Sequence, residues 1–294
     1  MNTNTFQKHK KTKILHLKKR NRKDYLNKCC NKNYQNKSLF QRTILVCLIS
    51  LLFLSQFQLS FGESYALITL KKFTSEKANN VANVITEISA MYVNGESVTV
   101  SKSVKTSTER DVEVKIVFKS SLSKCNTLFK ELGPQVIKLD LTELDTSKCS
   151  SFMNFLFKTK NVNYIKIGGG GQFSTAAATT MESMFDTFGV AGCNHEIDFS
   201  SFNTAKVTKM NKMFYNSCFQ FLDLRGFNTQ KVTTMASMFE SSKALSLDLS
   251  TFSTSAVTSF NAMFSTMTNL ISLSLSSFNI KTNAVVTQMF FQIK

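Results

Sequence analysis

Four glycines in a row, Gly168 to Gly171, follow an apolar-alternating segment, Tyr164 to Ile167, and precede apolar residues at helical spacing. A glycine loop between a strand and a helix is where backbone amides cradle a phosphate. The lysine and hydroxyl that complete such a cradle are missing, because Gln172, Phe173 and Ser174 follow instead. The run therefore reads as an insertion loop. His195 is the one histidine beyond residue 62, two residues from Cys193. A zinc site usually takes four ligands, so one histidine with one cysteine falls short. Paired carboxylates and nucleophile triads do not stand out. The chain is not expected to be an enzyme or to hold a cofactor or metal.

Cysteine chemistry is the stronger signal. Cys125, Cys149, Cys193 and Cys218 lie beyond residue 62, and an even number invites pairing where the compartment is oxidising. Cys193 and Cys218 fall in the same loop of adjacent repeats, so a Cys193–Cys218 disulfide is expected. Cys125 and Cys149 could pair, or serve as small apolar residues.

These residues are positioned by a repeat. IDFSSFNTAKVTKMNKMF starts at Ile197, LDLRGFNTQKVTTMASMF at Leu222, LDLSTFSTSAVTSFNAMF at Leu247 and LSLSSFNIKTNAVVTQMF at Leu273, at intervals of 25, 25 and 26 residues. A fixed period of this size marks a solenoid, in which neighbouring coils bury each other's apolar flanks. Burying one apolar side chain contributes roughly 1.5–3 kcal/mol and fixing one backbone residue costs about 1–2 kcal/mol, so a lone coil does not fold. Within each phrase the opening L-x-L alternates like a short strand. The spacing of Val207, Met210, Met213 and Phe214 predicts a short helix. LDLTELDTSKCSSFMNFL from Leu139 keeps the register, and Cys125, Leu128 and Phe129 fit the tail of an earlier, incomplete coil. The expected fold is an α/β repeat solenoid, with one short parallel strand and one short helix per coil and about six coils across residues 121–294.

The consensus L-x-L-S-x-F-N-T-x-x-V-T-x-M-x-x-M-F resembles the repeat of the BspA-like leucine-rich-repeat surface proteins. The resemblance covers roughly Leu139 to Phe290. It implies a leucine-rich-repeat-like solenoid displayed at the cell surface or beyond, in a family whose activities are mostly adhesion and host or matrix contact. The sequence departs from the pattern at Gly168 to Gly171, after Phe185 and at Asn283.

In such a solenoid Asp140, Lys166, Asp198, Asp223, Asp248 and Ser274 line up outward about 4.8 Å apart, flanked by Phe221 and Arg225. They form the expected recognition face, for a protein or glycan ligand. Stacked like charges repel, so Asp198, Asp223 and Asp248 either bond locally to serine and threonine hydroxyls or meet a cation or basic partner. Asn203, Asn228 and Asn279, with Asp145 and Ser253 at the same place, are expected to satisfy backbone groups of the neighbouring coil.

Of the net charge of +17, +12 falls in residues 1–43, a basic tail expected to be disordered. Ile44 to Leu54 is an almost unbroken apolar run, and residues 44–62 read as a signal peptide, with Ser60 and Gly62 before the cleavage point, or as an uncleaved signal-anchor. Both place the repeats outside the cytosol: extracellular or at the cell surface, or on a single-pass membrane protein with a cytosolic amino terminus. Nucleic acid is not the expected partner. Residues 63–120 read as an α+β cap. Its helix begins at Ser75 with the stripe Val81, Ile85, Ile88 and Tyr92, ends at Asn94-Gly95 and leads to strands around Val98–Val104 and Val112–Phe118. The coil ending at Lys294 lacks a polar cap, so self-association through that edge is a second expectation, as a membrane-anchored structural protein.

Overall fold

The structure is a computed structural model. It describes residues 63–293 except 72, 84–85, 87, 109, 120–121, 169–170 and 191–196. The basic tail, the apolar segment, Cys193 and His195 lie outside the described residues. No α-helix occurs among the described ones, which overturns the α/β solenoid with a helix in each coil and the α+β cap. The described residues form strands and turns.

The cap residues form β1 (Ser64–Leu70), β2 (Phe73–Asn80), β3 (Ile88–Val93), β4 (Glu96–Val98), β5 (Ser103–Thr108) and β6 (Val112–Phe118). Alternation explains β1 and β6: Ala66, Ile68 and Leu70 face Val112, Val114 and Ile116 in the core. The helix expected from Ser75 is replaced by β2, which pairs antiparallel with β5, and by β3, which pairs with β6. Strand partners far along the chain override the helix-forming Glu76, Lys77 and Ala78. Asn94 and Gly95 do turn the chain, as a two-residue hairpin with φ of 50° and 86° between β3 and β4, the geometry such hairpins prefer.

The first coil strands, β7 (Val136–Asp140) and β8 (Tyr164–Lys166), continue this sheet in the order β4-β3-β6-β1-β7-β8. Two later coils supply β9 (Ser246–Asp248) and β10 (Ser272–Ser274), paired in parallel. Ser151, Thr180, Lys209, Thr234, Ser259 and Val285 are joined in parallel bridges from one coil to the next.

The expected helices are chains of turns. Met210, Lys212, Phe214 and Asn216 donate their amides to Thr234, Ala236, Met238 and Glu240 of the next coil at 2.8–3.2 Å, while Met213, Tyr215 and Ser217 donate three residues back. Lys212 and Asn216 have φ of 55° and 44°, which no right-handed helix contains. Pairs of positive-φ residues four apart recur at 127/131, 154/158, 183/187, 212/216, 237/241, 262/266 and 288/292. The incomplete first coil thus stacks like the rest, with Phe129 donating to Phe155.

The core runs along the stack. Phe185, Phe214, Phe239, Phe264 and Phe290 stack with centroids 5.5–5.9 Å apart and rings within 10° of parallel. Beside them lie buried Val207, Met210, Met213 and their equivalents.

A threonine ladder ties the coils at the corner after the F-N-T segment. The Thr204 hydroxyl donates to the Asn228 carbonyl at 3.0 Å and accepts from the Asn228 amide at 2.8 Å. Thr175 and Asn203 repeat the pair, as do Thr254 and Asn279. The polar column expected to serve the neighbouring coil does something else. Asn203 and Asn228 accept from amides two residues on in their own coil, and the buried threonine beside each makes the bond between coils. Thr204→Val keeps the shape but strands both groups of Asn228. It is expected to cost about 1–3 kcal/mol, measured by urea denaturation.

Cys125 and Cys149 form a disulfide with Cα atoms 5.6 Å apart, across the first two coils. Cys218 is also disulfide-bonded, and Cys193, the partner expected for it, lies outside the described residues. Gly168 has φ of 86° and packs against Asp198 and Ser201, while a side chain on Gly171 would overlap the Thr142 carbonyl. These glycines are needed for close backbone approach.

Candidate recognition face

Each aspartate of the expected face is held by a short-range turn. Asp140 ends β7 opposite Lys166 of β8, whose Nζ lies 3.7 Å away. Its carboxylate accepts from the Thr142 amide at 3.0 Å and from the Thr142 hydroxyl at 2.6 Å. Asp198 accepts from the Ser200 amide at 2.9 Å and opens a 3-10 turn, Phe199–Ser201, where a strand was expected. Asp248 ends β9 opposite Ser274 of β10 and accepts from the Ser250 amide at 3.0 Å. The alternation that buries Leu247 turns Asp248 outward, and its short side chain reaches back to an amide two residues on.

Asp223 carries the most elaborate arrangement. Arg225 donates its backbone amide and Nε to one carboxylate oxygen and Nη2 to the other, at 2.7–3.2 Å. The bidentate guanidinium holds the Asp223 carboxyl down at about 2. The same arginine also helps to lower Asp248, after the stronger effect of Ser250, whereas Asp223 raises it. Hydrogen bonds from Ser200 lower Asp198. The repulsion expected of stacked aspartates is thus relieved by local donors and one arginine, which hold Asp198, Asp223 and Asp248 below the ordinary carboxylate range.

Aromatic rings stand beside these charges. Phe221, bridged to Ser246, is 63% exposed, and Tyr164 is 50% exposed. Sequence reasoning missed Tyr164, although it precedes Ile165 as Phe221 precedes Leu222. The face thus combines exposed rings, fixed carboxylates and two cations, Lys166 and Arg225.

Asp186 lies apart from this face and is 5% exposed. The Thr187 hydroxyl donates to its carboxylate at 2.7 Å. Burial nevertheless raises its pKa, against the lowering pull of Thr187, Lys212 and Lys158. A raised folded-state value favours folding in acid, and that contribution fades as pH rises through it. Asp186→Asn is therefore expected to raise the melting temperature at pH 7. The gain should disappear below the ordinary carboxylate range, as read from melting curves at several pH values.

Among the described residues no group of three or more His, Cys, Asp and Glu could hold a metal ion. Nor, among them, is any helix long and apolar enough to cross a membrane. Stacked coils carrying side chains outward from a shared backbone ladder define a repeat protein. Its repeats match the family described as a Mycoplasma protein of unknown function, DUF285, over residues 123–221 and 187–294. These spans cover more than half of the chain, which belongs to that family. Comparison with curated proteins and with solved structures finds no match.

Proposed function

We propose that this chain is a non-catalytic recognition protein working outside the cytosol, at the cell surface or secreted, and that it binds a protein or glycan along the face described above. The observation that carries this reading is the exposed Phe221 ring beside the locked Asp223–Arg225 pair. An aromatic ring in water with a pre-ordered charge pair costs little further ordering on binding, and Arg and aromatic residues dominate binding hot spots. The Cys125–Cys149 disulfide supports an oxidising compartment, as does the signal-like segment at 44–62. The resemblance to BspA-like surface proteins points the same way.

The test is adhesion of the full chain to a glycan array and to immobilised matrix proteins. Phe221→Ala combined with Arg225→Ala is expected to weaken binding at least about tenfold, the loss of one hot-spot contact or more, with an unchanged melting temperature. Undiminished binding by the double variant would remove the face from consideration.

A further inference from the structure

The coils also meet along a second line of parallel bridges, separate from the strands that carry the aspartates. Thr180 bridges Lys209, and Lys209 bridges Thr234. The turns that bury Val207, Met210 and Met213 leave Lys206, Lys209 and Lys212 exposed, and exposed Lys231 stands one coil on from Lys206. Stacked backbones of this kind lie about 4.8 Å apart, so the lysines share one patch. Elsewhere five cations are matched: Lys115 with Glu63, Lys130 and Lys158 with Glu131, Lys166 with Asp140, and Arg225 with Asp223. Lys212 lies over the Tyr215 ring, 5.6 Å from its centroid, and attracts the buried Asp186. Among the described residues Lys206, Lys209 and Lys231 have no ion pair. Glu182 is one coil before Asn211 and Glu240 one coil after Tyr215, yet neither reaches them.

We propose that this lysine cluster is a second binding site, and that its ligand is a sulfated polysaccharide. Adjacent like charges oppose folding, and here no local carboxylate relieves them as Arg225 relieves the aspartates. A ligand with repeated anions supplies what the fold leaves out. Protein partners are anchored by exposed aromatic and large apolar side chains. Those lie elsewhere, as with Phe221 and Tyr164 on the aspartate face. Between the lysines stand hydroxyls instead. Those of Thr208 and Thr233 donate to the Thr179 and Thr208 carbonyls at 3.1 Å, which leaves their oxygens free to accept from a sugar hydroxyl. A lysine ammonium meets a sulfate as a hydrated point charge, and Tyr215 offers a ring face at the border. The choice of a polysaccharide over a nucleic acid rests on the reading that the chain works outside the cytosol.

Acetylation of the full chain with acetic anhydride, read lysine by lysine by mass spectrometry with and without a heparin octasaccharide, tests this. Heparin should protect Lys206, Lys209, Lys212 and Lys231 and leave Lys102 of the cap as reactive as before. Because each lysine is read separately, polyanion held by residues 1–43 does not obscure the result. Lys206→Gln combined with Lys209→Gln and Lys231→Gln should abolish the protection of Lys212 without changing the melting temperature. The same three positions changed to Arg should restore it. Unprotected lysines at this patch, or protection confined to residues 1–43, would overturn the proposal. So would equal protection by fully desulfated heparin, by poly-glutamate or by duplex DNA. Phe221→Ala with Arg225→Ala should leave the protection intact, so this test and the adhesion test fail separately. Protection lost in that variant would move the heparin to the aspartate face and end the proposal as well.

Discussion

Phe239→Ala is expected to lower the free energy of unfolding by about 3–5 kcal/mol, the range for removing a fully buried phenylalanine. The ring is 0% exposed and stacks on Phe214 at 5.6 Å and on Phe264 at 5.9 Å. Its loss opens a gap that two coils line, and neither can collapse into it without breaking the amide ladder that holds Phe239 to Met263. The same change at Phe290, which stacks on Phe264 and is 47% exposed, should cost less than about 2 kcal/mol, since only part of its area leaves water. Urea denaturation followed by circular dichroism measures both. Equal losses at the two positions would contradict a continuous dry column, whereas an inner-to-outer gradient is what nearest-neighbour coupling between repeats requires.

The register of the stack was legible because Leu, Val, Met and Phe recur at fixed places, and those residues are the buried ones. The local backbone was not. Val207, Met210, Met213 and Phe214 fall on one side of a helix, but three overlapping turns with left-handed residues at 212 and 216 place the same four inward. Periodicity reports which side chains share a face and says little about where the amides go. Glycine would have marked the left-handed positions, yet Lys212, Ser237, Ala262 and Thr266 occupy them. The cap misled for a related reason: Val81, Ile88 and Tyr92 have helical spacing, and only pairing with β6 shows that the last two belong to a strand.

The candidate face was legible from alternation, since residues flanking a buried leucine must point outward. Its chemistry was not. Asp223 and Arg225 are two apart, a spacing that reads as two separate surface charges until the turn after Leu224 folds the guanidinium back onto the carboxylate. Asparagine favours turns, so the sequence points to Asn203 and Asn228 for the bonds between coils. Thr204 and Thr229 make them instead, because both are buried, at 1% exposed, and their hydroxyls lie against the next coil.

Removing the Cys125–Cys149 disulfide, as Cys125→Ala with Cys149→Ala, is expected to cost about 3–4 kcal/mol. That is the loop-closure value for a bridge spanning 24 residues. Both cysteines are buried, and alanine there forfeits little packing, so most of the loss should come from freeing the unfolded chain. The bridge ties the first coil to the second, where the repeats join the sheet of β1 and β6. Its absence should therefore loosen the junction first, seen as faster amide exchange at Phe129 and Phe155. Either single substitution already breaks the bond, so Cys125→Ala, Cys149→Ala and the pair should show nearly equal losses in urea denaturation. Losses that instead add up would assign the two cysteines separate packing roles. The same reasoning ties stability to compartment: chain folded under reducing conditions should lose at least as much as the double variant, because Cys218 is disulfide-bonded too, and only chain folded where thiols oxidise should reach full stability.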